Sequence, residues 1–85
     1  MSKDIYLEAF ILRGKNRKQI LDCLKQGRKT QAQLHKETKL YRTHVRRVLL
    51  ELINKKLVKC LNPKDRLYKM YELTKQGDNL IQKTV

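Results

Sequence analysis

The stretch Thr30-Gln31-Ala32-Gln33-Leu34-His35-Lys36-Glu37-Thr38-Lys39-Leu40-Tyr41-Arg42-Thr43-His44-Val45-Arg46-Arg47-Val48-Leu49 reads as two helices with a tight turn between them. Thr30 followed by Gln33 fits a capping box, in which the Thr oxygen accepts the third amide and Gln33 reaches back to the cap amide. That predicts a short helix through about Glu37, with Ala32 and Leu34 turned inward. Thr38-Lys39-Leu40 forms the turn, and a longer helix runs from about Tyr41 to Lys55. Its Val45, Val48, Leu49 and Leu52 follow the i, i+3, i+4, i+7 spacing of one buried stripe. A short helix, a three-residue turn and a longer basic helix make a helix-turn-helix. In it, Leu34, Leu40, Val45 and Val48 must be apolar, because they hold the two helices at a fixed crossing angle.

The opposite face of the longer helix, at about 100° per residue, carries Thr43, Arg47, Leu50 and Asn54. Arg46 lies at its edge and Arg42 on the exposed first turn, with His44 on the flank. An α-helix fits the major groove, and Arg can donate two hydrogen bonds to guanine O6 and N7. Tyr41, Arg42, Thr43, His44, Arg46 and Arg47 are therefore the candidate duplex-facing residues of a recognition helix. For a single isolated helix, the same arginines would be read as a solvated face.

Beyond this unit, Leu57 to Leu61 reads as a strand, Asn62-Pro63-Lys64-Asp65 as turn chemistry, and Leu67 to Leu73 as a second strand. Thr74 is placed to cap a last helix that holds Leu80 and Ile81. The hairpin, or wing, carries Lys64, Arg66 and Lys69 around a tip expected to be tight. Toward the N-terminus, Asn16 can cap a helix through about Gln26 that buries Ile20, Leu21 and Leu24, with Gly27 ending it. Before the linker-like Arg13-Gly14-Lys15-Asn16, the run Ile5-Leu12 is dense in apolar residues. It reads as a short helix behind Ser2 or Asp4 as cap, or as a strand. Its Tyr6, Phe10 and Ile11 suit either a core or a dimer interface. Lys15, Arg17 and Lys18, together with Thr30 and Gln31, are candidate backbone-phosphate contacts, which position a protein without reading sequence. The fold class expected is mainly α with a small β-hairpin. It comprises a three-helix core, a wing, and extra helices at both ends, divided as residues 1–13 and 14–85.

Composition limits the function classes. The chain has 85 residues, 21 Lys and Arg against 8 Asp and Glu, a net charge of +13, and 3 Gly and 1 Pro. That is one small helix-rich domain with a large cationic excess. Nucleic acid is the first candidate partner and an anionic membrane surface the second. No apolar run approaches the roughly 20 residues that span a bilayer. The first residues lack the layout of a secretion signal, so a cytoplasmic protein with reduced thiols is expected. Cys23 and Cys60 have no His or Cys at metal-ligand spacing and read as core fillers. Paired carboxylates, a nucleophile–base pair and a Gly-rich phosphate loop are all missing from the sequence. No catalytic residue, metal, cofactor, membrane role or small-molecule ligand is therefore expected.

The ordered set Thr30-Gln31-Ala32-Gln33-Leu34, Lys39-Leu40, Thr43-His44-Val45-Arg46-Arg47-Val48-Leu49 and Leu57-Val58 resembles the winged helix-turn-helix of small prokaryotic transcription regulators of the ArsR/MarR type. Tyr71-Glu72-Leu73-Thr74-Lys75-Gln76-Gly77 is similar to that family's strand-to-helix signature, in which Leu-Thr is followed by two residues and Gly. Leu12-Arg13-Gly14-Lys15-Asn16-Arg17 is similar to the start of short archaeal members. The resemblance spans roughly residues 12–83. It implies a sequence-specific binder of double-stranded DNA, usually a homodimer, with the second helix in the major groove and the hairpin as wing. Three residues depart from the family pattern. His35 stands where the family has Ala, Lys39 replaces the turn Gly, and Lys56 replaces the Gly that ends the recognition helix. The rival readings are a protein–protein module of transcription or replication machinery and an RNA-binding module. Tyr41 and Tyr68 lack the interleaving of a single-strand stacking platform.

Overall fold

The computed structural model describes residues 2–83, and side chains over 5–82. The element order is α1 (Ser2–Arg13), α2 (Lys15–Lys25), β1 (Lys29–Thr30), α3 (Gln31–Thr38), α4 (Arg42–Asn54), β2 (Val58–Cys60), β3 (Met70–Leu73) and α5 (Lys75–Lys83). The strands form one antiparallel sheet in the order β1-β3-β2. This is the mainly helical winged-helix architecture expected, with one strand more than the hairpin. β1 contributes two residues, Lys29 opposite Tyr71 and Thr30 opposite Met70. Only the pairing to β3 makes it a strand.

The run Ile5-Leu12 is helical because Leu7, Phe10 and Ile11, at i, i+3 and i+4, meet the core together. Ile11 is completely buried, while Ile5, Tyr6 and Leu12 stay exposed. The caps expected at Ser2 and Asp4 lie outside the described side chains. Asn16 is not the cap of α2. Gly14 holds that position with an extended backbone and no side-chain bond, and the helix starts one residue later. The end of α2 is as expected, with Gln26 as C-cap and Gly27 at φ 141°.

The capping box of α3 is complete. Gln33 N donates to Thr30 Oγ1 at 3.1 Å, and Thr30 N donates to Gln33 Oε1 at 2.8 Å. Leu34 is buried as expected, but Ala32 faces solvent. Leu34, Val45, Val48, Leu49 and Leu52 join Ile20, Leu21 and Leu24 of α2, Leu57 and Val58, Tyr71, and Leu80 and Ile81 of α5 in one cluster. Cys23 and Cys60, both free thiols, pack at its margin.

The second strand is shorter than Leu67–Leu73 and the wing is correspondingly longer, so its tip is not tight. Asn62 ends the ladder with its own side chain. Its Oδ1 accepts from Met70 N at 2.7 Å and its Nδ2 donates to the Tyr68 carbonyl at 2.8 Å. Asp65 Oδ1 then accepts from the amides of Leu67 (2.9 Å) and Tyr68 (3.0 Å). These side chains take the groups that strand pairing would have used, and residues 61–69 stand out as a loop.

Candidate nucleic-acid interface

The turn between α3 and α4 decides where α4 points. Lys39 adopts the left-handed conformation, φ 62° and ψ 16°, and its amide donates to the His35 carbonyl at 2.9 Å. A β-carbon in that conformation costs on the order of 1–2 kcal/mol. Several bonds hold the turn against that cost. Thr38 Oγ1 donates to the Leu34 carbonyl at 2.6 Å, Leu40 N donates to Thr38 Oγ1 at 3.3 Å, and His35 Nδ1 meets the Leu40 carbonyl. A carbonyl only accepts, so that Nδ1 carries a proton. His35 is thus a clasp on the turn, a role that no Ala could perform. Lys56 is likewise left-handed, φ 62°, and its carbonyl accepts from Thr74 Oγ1 at 2.7 Å.

α4 so held buries Val45, Val48, Leu49 and Leu52 and turns Arg42, Thr43, Arg46, Arg47, Leu50 and Asn54 to solvent. None of its three guanidinium groups has a hydrogen-bond or ion-pair partner within the chain among the described residues. Tyr41 caps the helix by backbone alone and is exposed. It packs edge-on to the half-buried His44, with ring centroids 5.7 Å apart.

Two grooves flank this face. One, of about 220 Å³, lies between α4 and the wing and brings together Gln31, Arg46, Arg66, Lys69 and Tyr71. The other, a cleft of about 400 Å³, brings Arg13, Lys15, His44 and Arg47 together where α2 begins. Arg46 and Arg47 therefore connect the helix face to basic residues on both sides. Lys64 is exposed on the wing outside the first groove, and Lys18 is half-buried on α2 outside the second.

Arg17 stands apart from the other phosphate candidates. Its Nη1 donates to the Phe10 carbonyl at 2.7 Å, and its Nη2 and Nε reach the Glu51 carboxylate at 3.1 and 3.3 Å. The guanidinium lies 3.8 Å from the centre of the Phe10 ring. The Thr30 hydroxyl is occupied by the capping box. Leu67 and Tyr68, read from the sequence as strand residues, are on the exposed wing. The signal for them was the pair Asn62 and Asp65, whose short side chains can satisfy a loop's backbone.

Among the described residues, no group of three or more His, Cys, Asp or Glu could hold a metal ion. Burial first, then the Glu37 carboxylate, pushes the Cys23 thiol up, the opposite of an activated thiolate. No described helix is long and apolar enough to cross a membrane.

Residues 7–78 match the model of a protein family described as TFIIE alpha subunit. No curated protein matches the chain. Among solved structures, apo MarR from E. coli is similar at TM-score 0.77 and 22% identity, covering 98% of this chain and 65% of that one. The adhesin competence repressor AdcR from Streptococcus pyogenes is similar at TM-score 0.76 and 21% identity, covering 94% of this chain and 61% of that one. A mutant of ZitR from Lactococcus lactis is similar at TM-score 0.75 and 20% identity, covering 82% and 49%. The chain thus spans about half to two thirds of the length of these proteins. At these identities the agreement is one of fold.

Proposed function

The chain belongs to the TFIIE alpha subunit family, and on that premise we propose that it is a transcription regulator that binds double-stranded DNA sequence-specifically. The N-terminal half of α4 enters the major groove, and the wing lies on the backbone or in the minor groove. The observation that carries this reading is the outward face of α4, where Arg42, Arg46 and Arg47 have no acceptor of their own among the described residues. Arg46 and Arg47 are the base readers. Tyr41, Arg42, Thr43 and His44 settle the first turn against the groove wall. Lys64, Arg66 and Lys69 on the wing, and Lys15, Lys18 and Gln31, hold phosphates. Thr30 serves by shaping the start of α3, and Arg17 serves as a brace rather than a contact. No residue has a catalytic role in this reading. Two copies bind a two-fold-related site, meeting through the exposed Ile5, Tyr6 and Leu12 of α1.

Selection of duplexes from a randomised pool, followed by shift assays on the winners, tests it. Arg47→Ala should cost roughly 1–3 kcal/mol and relax preference at one base pair, whereas Lys15→Ala should weaken all duplexes about equally. If both changes act equally on every sequence, Arg47 is not a base reader.

The same α1 face supports a second reading, a winged helix that docks on another protein of the transcription machinery. It expects weak duplex binding with no preference over random DNA.

A further inference from the structure

Between β2 and β3 the chain holds two large apolar side chains out in water. Leu67 is 82% exposed and Tyr68 69%, and neither belongs to the core cluster or packs against it. The loop that presents them is fixed at both ends by the Asn62 and Asp65 side-chain bonds to its own backbone. Lys64, Arg66 and Lys69 bracket the pair in sequence. Arg66 and Lys69 also line the groove that runs to Arg46 on α4. The apolar pair therefore stands at the end of a cationic track continuous with the exposed face of α4. A further cleft of about 150 Å³ separates this tip from Gln31 at the start of α3.

An apolar point set among cations suits a partner that is anionic outside and stacked and apolar within. The minor groove of a duplex is such a partner. Side chains such as Leu enter there between base steps, unstack them and kink the helix toward the major groove. An aromatic ring beside the wedge offers a face to an exposed base.

We propose that Leu67, supported by Tyr68, is a wedge that enters the minor groove between two base pairs and kinks the bound duplex. The inference rests on the duplex-binding reading above and deepens it. With α4 in the major groove, the wing falls on the neighbouring minor groove. The wedge adds selectivity at a step the protein never hydrogen-bonds, favouring pyrimidine–purine steps, which unstack readily. A lipid surface would also accept a cationic apolar tip. The groove that ties the tip, through Arg66 and Lys69, to Arg46 on the exposed face of α4 favours the duplex.

The test uses the full chain and a short synthetic duplex with 2-aminopurine at a central TpA step and dyes on both ends. The wild-type protein should bend it by roughly 20–90°, read as increased energy transfer, and should raise the 2-aminopurine fluorescence. Leu67→Ala keeps its fold, because the side chain is largely exposed and lies outside the core, and should still bind while losing both signals. Arg66→Ala should weaken binding yet leave the bend of the saturated complex intact. Wild-type binding without bending or unstacking, or a Leu67→Ala complex bent like the wild type, overturns the wedge and leaves duplex binding standing. Failure to bind the duplex at all overturns both. Leu67-dependent binding to phosphatidylserine vesicles, with no bending of DNA, assigns the tip to membranes and overturns the proposal.

Discussion

Gly77 marks where α5 meets the strand end. A β-carbon there would sit 2.1 Å from the Leu57 carbonyl oxygen, the same oxygen that accepts from Thr74 N at 3.0 Å. Thr74 Oγ1 in turn accepts from Gly77 N at 3.0 Å, so the cap, the strand end and the glycine form one joint. The Leu-Thr-x-x-Gly spacing thus has a physical cause in this chain. Gly77→Ala must push the Leu57 carbonyl away, and it should destabilise the fold by about 2 kcal/mol, in the range of overpacked cores. Urea denaturation checks this, with a lower midpoint expected at unchanged slope. Asp65 holds the wing loop through its carboxylate. The amides of Tyr68 and Leu67, then the Asn62 side chain and Lys69, hold its carboxyl below the ordinary value of 3.8. A carboxyl lowered by folding stabilises the loop above its ordinary value, and that support disappears as pH falls through the lowered one. The Leu67 and Tyr68 amide resonances should therefore titrate together, with a midpoint below 3.8. Independent movement of the two, or a midpoint above that value, would separate Asp65 from the loop's shape.

Among the helices, the decisive link is Arg17. From α2 it donates to the Phe10 carbonyl on α1 and to Glu51 on α4, so one side chain joins the N-terminal helix to the helix that carries the exposed arginines. Its side chain is 22% exposed and that of Glu51 37%. Solvent therefore screens the pair partly but not wholly. A double-mutant cycle with Arg17→Ala and Glu51→Ala should return a coupling of about 1 kcal/mol in thermal or urea unfolding, at the upper end for partly exposed pairs. The same cycle on Lys59 and Glu72, 3.8 Å apart and more exposed, should return close to zero. Arg17 also illustrates what the amino-acid order can and cannot reveal. The helix-turn-helix was legible because a capping box and a 3.6-residue stripe are local patterns, and the outward arginines of α4 follow from the same periodicity. Arg17, by contrast, reads as one more cation in a basic cluster, because its partner lies 34 positions away. β1 was illegible for the same reason, since two residues acquire strand character only from their register with β3. At the wing, Tyr68 has strong strand preference, and hydrogen bonding by Asn62 and Asp65 overrode it. The position of Ile11 also depended on packing: an apolar run alone does not say which of its residues meet the core.

Taken whole, the molecule measures 38 × 24 × 20 Å, and its long axis is close to one turn of B-DNA, about 34–36 Å. Its net charge is +13, and only three ion pairs are formed among the described residues, so most of the cationic excess remains to meet an external anion. The grooves on either side of α4 concentrate part of it, through Lys15 and Arg13 at one end and Arg66 and Lys69 at the other. If each copy neutralises about six phosphates, the logarithm of the association constant should fall against log salt with a slope near −5. Fluorescence anisotropy over a salt series reads this directly. Lys69→Ala, which removes one proposed phosphate contact, should flatten the slope by about 1. Arg17→Gln should leave it unchanged, because that guanidinium is already occupied by Glu51 and the Phe10 carbonyl. A slope near zero in the wild type would mean that the cationic face does not lie on the phosphate backbone. A slope that falls with Arg17→Gln and not with Lys69→Ala would reverse the division between brace and contact drawn from the geometry.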